Sequence, residues 1–304
     1  MTQATKNKIK EDVISYVFLI PVLIGIAVFA VYPLFMALIY SFSDFNGAFA
    51  TKFGVFNYAN IFNTSDTGLF QDVLKSFGVT FEYAILSMAV GMILGYALAL
   101  FLRKNIPGAR VIRLLCYLPC LIPGFIGGFI YRDIFAYSTM DAGNGIINTW
   151  LTNMGLSKFP FFESPNTSMF SLILTGLWGL GGSMILLLAA FENINPELYE
   201  ASDIDGAGYF TKLIRITIPL TTPILFYNLV VSMIGSLQIF ATYGAYGTGA
   251  EESLFFIAIR IYRTAFLNYK YGLACAMSYL LFIVIAAISL VMFKLNGWVH
   301  YGDE

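Results

Sequence analysis

From Asn193 to Leu225 the chain reads NINPELYEASDIDGAGYFTKLIRITIPLTTPIL, a polar connection between two long apolar runs. Asn195 followed by Pro196 is an N-cap and first-turn pair, so a helix should begin there, with Glu197 at the positive end of its dipole. Glu197, Glu200 and Asp203 recur every three residues and share one face, while Leu198 and Ala201 occupy another. The reading is a short amphipathic helix. Asp205-Gly206 should end it at a turn, because glycine tolerates the left-handed backbone that helix termini often need. Phe210, Leu213, Ile214 and Thr217 then make a second helical stripe, and Pro219 and Pro223 are expected to close the segment before the next apolar run.

Working outward, the flanking runs Ser164–Phe191 and Ile216–Ala250 contain no Asp, Glu, Lys or Arg. A membrane helix needs about 20 mostly apolar residues, so each is long enough to cross a bilayer. Four further charge-free runs of comparable length lie at Val13–Ser43, Tyr83–Leu102, Leu114–Tyr131 and Tyr271–Phe293. The fold class expected is an all-α integral membrane protein with about six transmembrane helices, forming one transmembrane domain over residues 1–304. Composition agrees: 58% of residues are hydrophobic and 12% charged, against about 25% charged in a soluble domain. That excludes a soluble globule and a disordered regulator. With a net charge of -1 and no Lys/Arg cluster interleaved with aromatics, nucleic acid is not an expected partner. Cys116, Cys120 and Cys275 all lie in apolar stretches and read as small hydrophobes.

Lys and Arg are retained on cytoplasmic flanks, so their distribution orients the chain. An inside N-terminus places Lys6, Lys8, Lys10, Arg103, Lys104, Arg110, Arg113, Lys212, Arg215 and Lys294 inside, ten of the seventeen, and leaves Lys52, Lys75, Arg132, Lys158, Arg260, Arg263 and Lys270 outside. Both termini are therefore expected on the cytoplasmic side, behind a short tail of residues 1–12, with 192–222 as a cytoplasmic loop. Residues 44–78 and 132–167 read as outer loops. The first apolar run is about twice the length of a secretory signal core and lacks a small-residue cleavage site, so it reads as a retained helix. Pro21, Pro33, Pro119 and Pro123 fall inside apolar runs, where kinks are the simplest account and gating hinges the alternative.

The residues of the 193–225 connection resemble the EAA loop of ABC importer permeases, a pattern of Glu-Ala-Ala, a Gly three residues on, and later an apolar residue and Pro. Glu200, Ala201 and Ser202, then Asp205, Gly206 and Ala207, then Ile218 and Pro219 stand in those places, with Ser202 for the second Ala. The opening IPVLIGIAVFAVYPLFMALIYSFSDF (Ile20 to Phe45), LPCLIPGF (Leu118 to Phe125), GIINTWLTNMGL (Gly145 to Leu156) and IYRTAFLNYKYGLACAMS (Ile261 to Ser278) are similar to the sugar-importer permeases related to the larger maltose permease and the glycerol-3-phosphate permease. Tyr246-Gly247-Thr248-Gly249 departs from the Gly-Gly-Pro turn usual in relatives. The resemblance implies a prokaryotic inner-membrane subunit of a sugar or oligosaccharide importer, with a second homologous permease, an ABC ATPase dimer and an extracytoplasmic solute-binding protein as partners. It implies that Glu197, Glu200, Ala201, Ser202, Asp203, Asp205, Gly206 and Ala207 couple the chain to the ATPase. None of the ten lysines belongs to a GxxxxGK[ST] phosphate loop, so hydrolysis is expected on the partner and the chain is not itself an enzyme.

Other chemistry is sparse. His300 is the only histidine, and no metal cluster, cofactor site or His-based triad can be assembled. Glu82 and Asp133 each sit at the edge of a run, which offers little for a proton or sodium pathway. In the fifth run Asn228, Ser232, Gly235 and Thr242 recur at helical spacing, with Ser236 and Gln238 flanking the same face. Polar faces glue helices together; the other reading is a path for a neutral, hydroxylated solute. The segment SLFFIAIRIYRTAFL, 253–267, reads as an outer interfacial helix with Arg260 and Arg263 snorkelling, or else as a docking surface for the binding protein. A self-sufficient secondary transporter or channel for a small polar solute is the alternative function, although neither ion-coupling residues nor inverted repeats are evident.

Overall fold

In the computed structural model residues 16–64, 67–103, 107–140 and 143–300 are described. The basic tail with Lys6, Lys8 and Lys10, the first residues of the opening run, and Lys104 lie outside them. The described chain folds as α1 (Tyr16–Ser41), α2 (Phe56–Ile61), α3 (Thr67–Arg103), α4 (Ala109–Tyr117), α5 (Gly124–Ile134), α6 (Ile146–Asn153), α7 (Pro165–Glu192), α8 (Pro196–Ile204), α9 (Tyr209–Leu237), α10 (Tyr243–Tyr246), α11 (Ile257–Tyr262) and α12 (Tyr271–Lys294). No strand occurs among the described residues; Ser43 and Phe53 form an isolated antiparallel bridge. Five helices, α1, α3, α7, α9 and α12, are long and apolar enough to cross a membrane.

The expected third span, Leu114–Tyr131, is broken. After α4 a 3-10 turn runs over Leu118–Leu121, and α5 departs at 104° to the preceding helix. The cause is local. Pro123 drives the residue before it out of the helical region, and Ile122 is extended with ψ 123°. Counted as one bent span, the pair brings the total to six.

Pro219 and Pro223 do not close the loop before the fifth span. Helix α9 runs through both, just beyond a π turn within it at Leu213–Thr217. A proline at 223 leaves the carbonyl of Pro219 without its helical donor. The Thr222 hydroxyl donates to that oxygen at 2.6 Å. Inside a bilayer such substitutes are what allow proline within a span.

The chain divides into two compact units. One runs to Phe70 and adds Ile261–Leu281. The expected outer loop 44–78 is not simply a loop, since it contains α2 and the start of α3. Asn57 on α2 donates to Ser41 O and Ser43 O at 2.9 and 2.8 Å, satisfying the carbonyls at the end of α1. A Cβ at Gly272 would lie 2.1 Å from Ser43 O, so only glycine admits this approach.

The other unit comprises Gln71–Arg260 and Phe282–Glu304. Ala99 and Leu102 of α3 are buried with Met184, Leu187, Leu188 and Phe191 of α7. A Cβ at Gly181 would fall 2.2 Å from Cys116 O, which makes glycine the condition for α7 to meet α4. The segment 253–267 is not an interfacial helix over its part in this unit. Leu254, Phe255, Phe256, Ile257 and Ile259 are buried, and Arg260 does not snorkel. Its Nε donates to Ser76 Oγ at 2.7 Å, its Nη1 meets Asp72 Oδ2 at 3.1 Å, and its guanidinium lies 4.2 Å from the Phe255 ring centre. Burying this cation is tolerable because a carboxylate, a hydroxyl and a ring face replace its water.

Candidate functional site: an uncharged cavity and a capped loop

Three helices of the larger unit border a half-open cavity of about 510 Å3. Helix α3 contributes Tyr83 and Ser87, α7 contributes Ser183, and α9 contributes Asn228, Ser232 and Ser236. The space exists because glycines interrupt its walls: a Cβ built at Gly179, Gly182 or Gly235 meets no atom within 4 Å. Every residue lining the cavity is uncharged. Ser87 and Ser236 hydroxyls pair across α3 and α9 at 3.2 Å, whereas the buried Nδ2 of Asn228 has no partner. A buried amide left unpaired costs about 1–3 kcal/mol, so this donor is suited to an incoming acceptor.

The structure therefore gathers Asn228, Ser232 and Ser236 but separates Gln238 and Thr242 from them. Helix α9 ends at Leu237, Gln238 is its exposed C-cap with φ -105°, and helical spacing stops there. Thr242 lines an adjoining cavity of about 320 Å3 with Cys120, Tyr131, Trp178 and Tyr246. Tyr83, Gly176, Gly179 and Ile239 border both cavities. Tyr131 and Trp178 meet edge to face at 6.2 Å, and Tyr246 stacks on Phe162 at 3.9 Å. The hydroxyls of Thr242 and Tyr246 are buried without partners, and burial pushes the Tyr246 phenol well above its ordinary pKa. Nothing in the α9 spacing could have revealed this aromatic annex, since its walls come from four distant stretches of sequence.

The loop residues lie on α8 and the turn after it. The Asn195 carboxamide oxygen accepts from Glu197 N at 3.0 Å and Pro196 occupies the first turn, as the pair of residues demands. At the other end Gly206 has φ +73°; its N–H bonds Asp203 O at 3.1 Å and the Ala207 N–H bonds Ser202 O at 2.9 Å. This double closure is the Schellman arrangement. Glu197, Glu200, Ala201, Asp203 and Asp205 are exposed, and Ser202 and Ala207 half-buried. Asp203 pairs with Lys212 across the turn. The apolar side chains of this segment are not buried within the chain: Ile204 is 88% exposed and Phe210 73%. Sequence spacing missed Tyr199, which anchors the loop to the spans. Its hydroxyl pairs with Thr217 Oγ1 at 2.9 Å and accepts from Arg103 at 3.1 Å.

With this geometry in hand, comparisons with known proteins are direct. The family described as binding-protein-dependent transport system inner membrane component matches residues 88–300. The chain is 32% identical to the probable ABC transporter permease protein YesP of Bacillus subtilis (strain 168), over 97% of this chain and 94% of that one. It is 28% identical to the arabinooligosaccharides transport system permease protein AraP of the same organism, over 93% and 88%. A chain of the bacterial alginate ABC transporter, solved in complex with alginate pentasaccharide-bound periplasmic protein, shares its fold with a TM-score of 0.81 at 23% identity, over 96% of each chain. A family match across most of the sequence, a relative sharing about a third of its residues end to end, and helices arranged as in a solved transporter converge on one assignment: the chain belongs to the binding-protein-dependent transport system inner membrane components, as a permease of the ABC type.

Proposed function

We propose that this chain, acting as one transmembrane domain with both termini in the cytoplasm, is half of a channel that imports an uncharged sugar or oligosaccharide. A second homologous permease supplies the other half, an ABC ATPase dimer supplies the energy, and an extracytoplasmic binding protein delivers the solute. The observation that carries the substrate class is the cavity of about 510 Å3 whose lining holds serines, an asparagine and two tyrosines and no charged group. Hydroxyl and amide groups can exchange hydrogen bonds with sugar hydroxyls, while the lack of Arg or Lys leaves nothing to neutralise an acidic polysaccharide such as alginate. The relative named for arabinooligosaccharides supports a neutral oligosaccharide.

The α8 loop supports an ATPase partner. Exposed Ile204 and Phe210 beside acidic Glu197 and Glu200 leave apolar surface in water, which a docked subunit would cover with about 1.5–3 kcal/mol per fully buried side chain. Uptake into vesicles of the reconstituted complex tests the reading: import of a neutral oligosaccharide should need ATP and binding protein. Uptake driven by an ion gradient alone would overturn it and favour a secondary transporter.

A further inference from the structure

A third cavity, of about 310 Å3, opens where α3 ends and α9 begins. Its wall is mostly apolar, with Leu100, Leu213, Tyr199 and Tyr209 in it, and Arg103, Lys212 and Thr217 are the other lining residues. Two cations line it and no carboxylate does. Asp203 engages Lys212 from outside the lining and is itself mostly exposed. Arg103 has no carboxylate partner among the described residues. Its Nη1 donates to Tyr199 OH, and its guanidinium lies 4.8 Å from the Tyr199 ring centre and 5.6 Å from that of Phe191. These contacts fix the group without neutralising it, and leave N–H donors of its planar fork unused. A second guanidinium nearby in the chain, Arg113, donates to Leu102 O at 2.7 Å and keeps a buried Nε with no partner.

The location narrows the ligand. Arg103 is the last residue of one span and Tyr209 the first of another, so the cavity sits at the membrane boundary that carries α8. Phosphate groups of lipids lie at that depth, and a planar fork beside an ammonium matches phosphate oxygens. We propose that this cavity binds a phosphate group, held by Arg103 and Lys212, which comes either from a phospholipid head group or from free phosphate. The proposal is independent of which solute the chain transports.

The test uses the purified transporter complex in nanodiscs of phosphatidylcholine with or without phosphatidylglycerol. Native mass spectrometry should find one more tightly retained phosphatidylglycerol on the wild type than on Arg103→Gln, with Arg103→Lys, which keeps the charge and loses the fork, in between. Retention unaffected by inorganic phosphate identifies the head group as the source. A melting-temperature rise with inorganic phosphate in phosphatidylcholine discs, lost in Arg103→Gln, identifies the free anion. Lys212→Gln leaves the Arg103 contacts in place and should lower retention by itself, so poor folding of one variant does not decide the matter. Equal phosphatidylglycerol retention in wild type and both Gln variants, with no phosphate-dependent shift, would overturn the proposal.

Discussion

Replacing Gly206 by valine isolates the role of one turn. The glycine has φ +73°, and a Cβ built there has no neighbour within 4 Å, so the substitution meets no clash and strains the backbone alone. A left-handed conformation costs a residue with a β-carbon about 1–2 kcal/mol. The two turn hydrogen bonds that hold the conformation, Gly206 N to Asp203 O and Ala207 N to Ser202 O, contribute about 0.5–1.5 kcal/mol each. Strain and restraint are therefore of the same size, and the α8-turn-α9 arrangement should lose its preference by a factor of about 5–30. Membrane insertion should be unchanged because no span is touched. The ATPase retained on the complex, and its stimulation by loaded binding protein, should fall by that factor. Gly206→Asn should recover much of the loss, since asparagine tolerates this region. The assay compares the chain in membranes, co-purified ATPase, and hydrolysis with and without binding protein. Wild-type retention and stimulation in Gly206→Val would refute the reasoning.

Ser232→Leu and Ser236→Leu, which fill the uncharged cavity and remove hydroxyls, should slow oligosaccharide uptake several-fold at unchanged expression, whereas Gln238→Leu, outside that cavity, should not; equal uptake by all three would return the face to helix packing. Thr222→Val removes the donor to Pro219 O and the acceptor for His300 N, and should cost about 1–2 kcal/mol, read as a lower melting temperature in detergent. Asp72→Ala strands the buried Arg260 guanidinium and should destabilise by about 1–3 kcal/mol, less so when combined with Arg260→Met. Bonds from Thr51 Oγ1 and the Lys52 and Thr51 amides hold Asp44 down from 3.8 to about 2. A depressed carboxylate stabilises its loop above its unfolded value, so amide-exchange protection at Thr51 and Lys52 should be full above about pH 4 and vanish as pH falls toward 2; Asp44→Asn should lack that dependence.

The spans were legible because charge cannot hide in lipid: gaps between charged residues located α1, α3, α7, α9 and α12. The ends of α8 were legible too, since Asn195-Pro196 and Gly206 are short-range signals. The break at Ile122 was less so, because Pro119 and Pro123 are equally compatible with a kinked helix, and the sequence does not say which proline sends the residue before it out of the helix. Arg260 illustrates the limit from the other side. Its partner Asp72 is 188 residues away, so spacing offered only the choice of a snorkelling arginine. The polar face of α9 was partly legible: Asn228, Ser232 and Ser236 share a cavity, while the helix end at Leu237 that detaches Thr242 has no proline or glycine at the cap to announce it.

The neutrality of the cavity between α3, α7 and α9 also bears on electrical leakage. A protein that opens a water-accessible route through a bilayer risks dissipating the membrane potential, worth about 2.3 kcal/mol per elementary charge at 100 mV. A cation that strays into a space lined by Ser87, Asn228, Ser232 and Ser236 meets dipoles but no counter-charge, and must shed hydration without compensation. The same lining proposed above for a hydroxylated solute would therefore also insulate, so that each passage of solute need not discharge the cell.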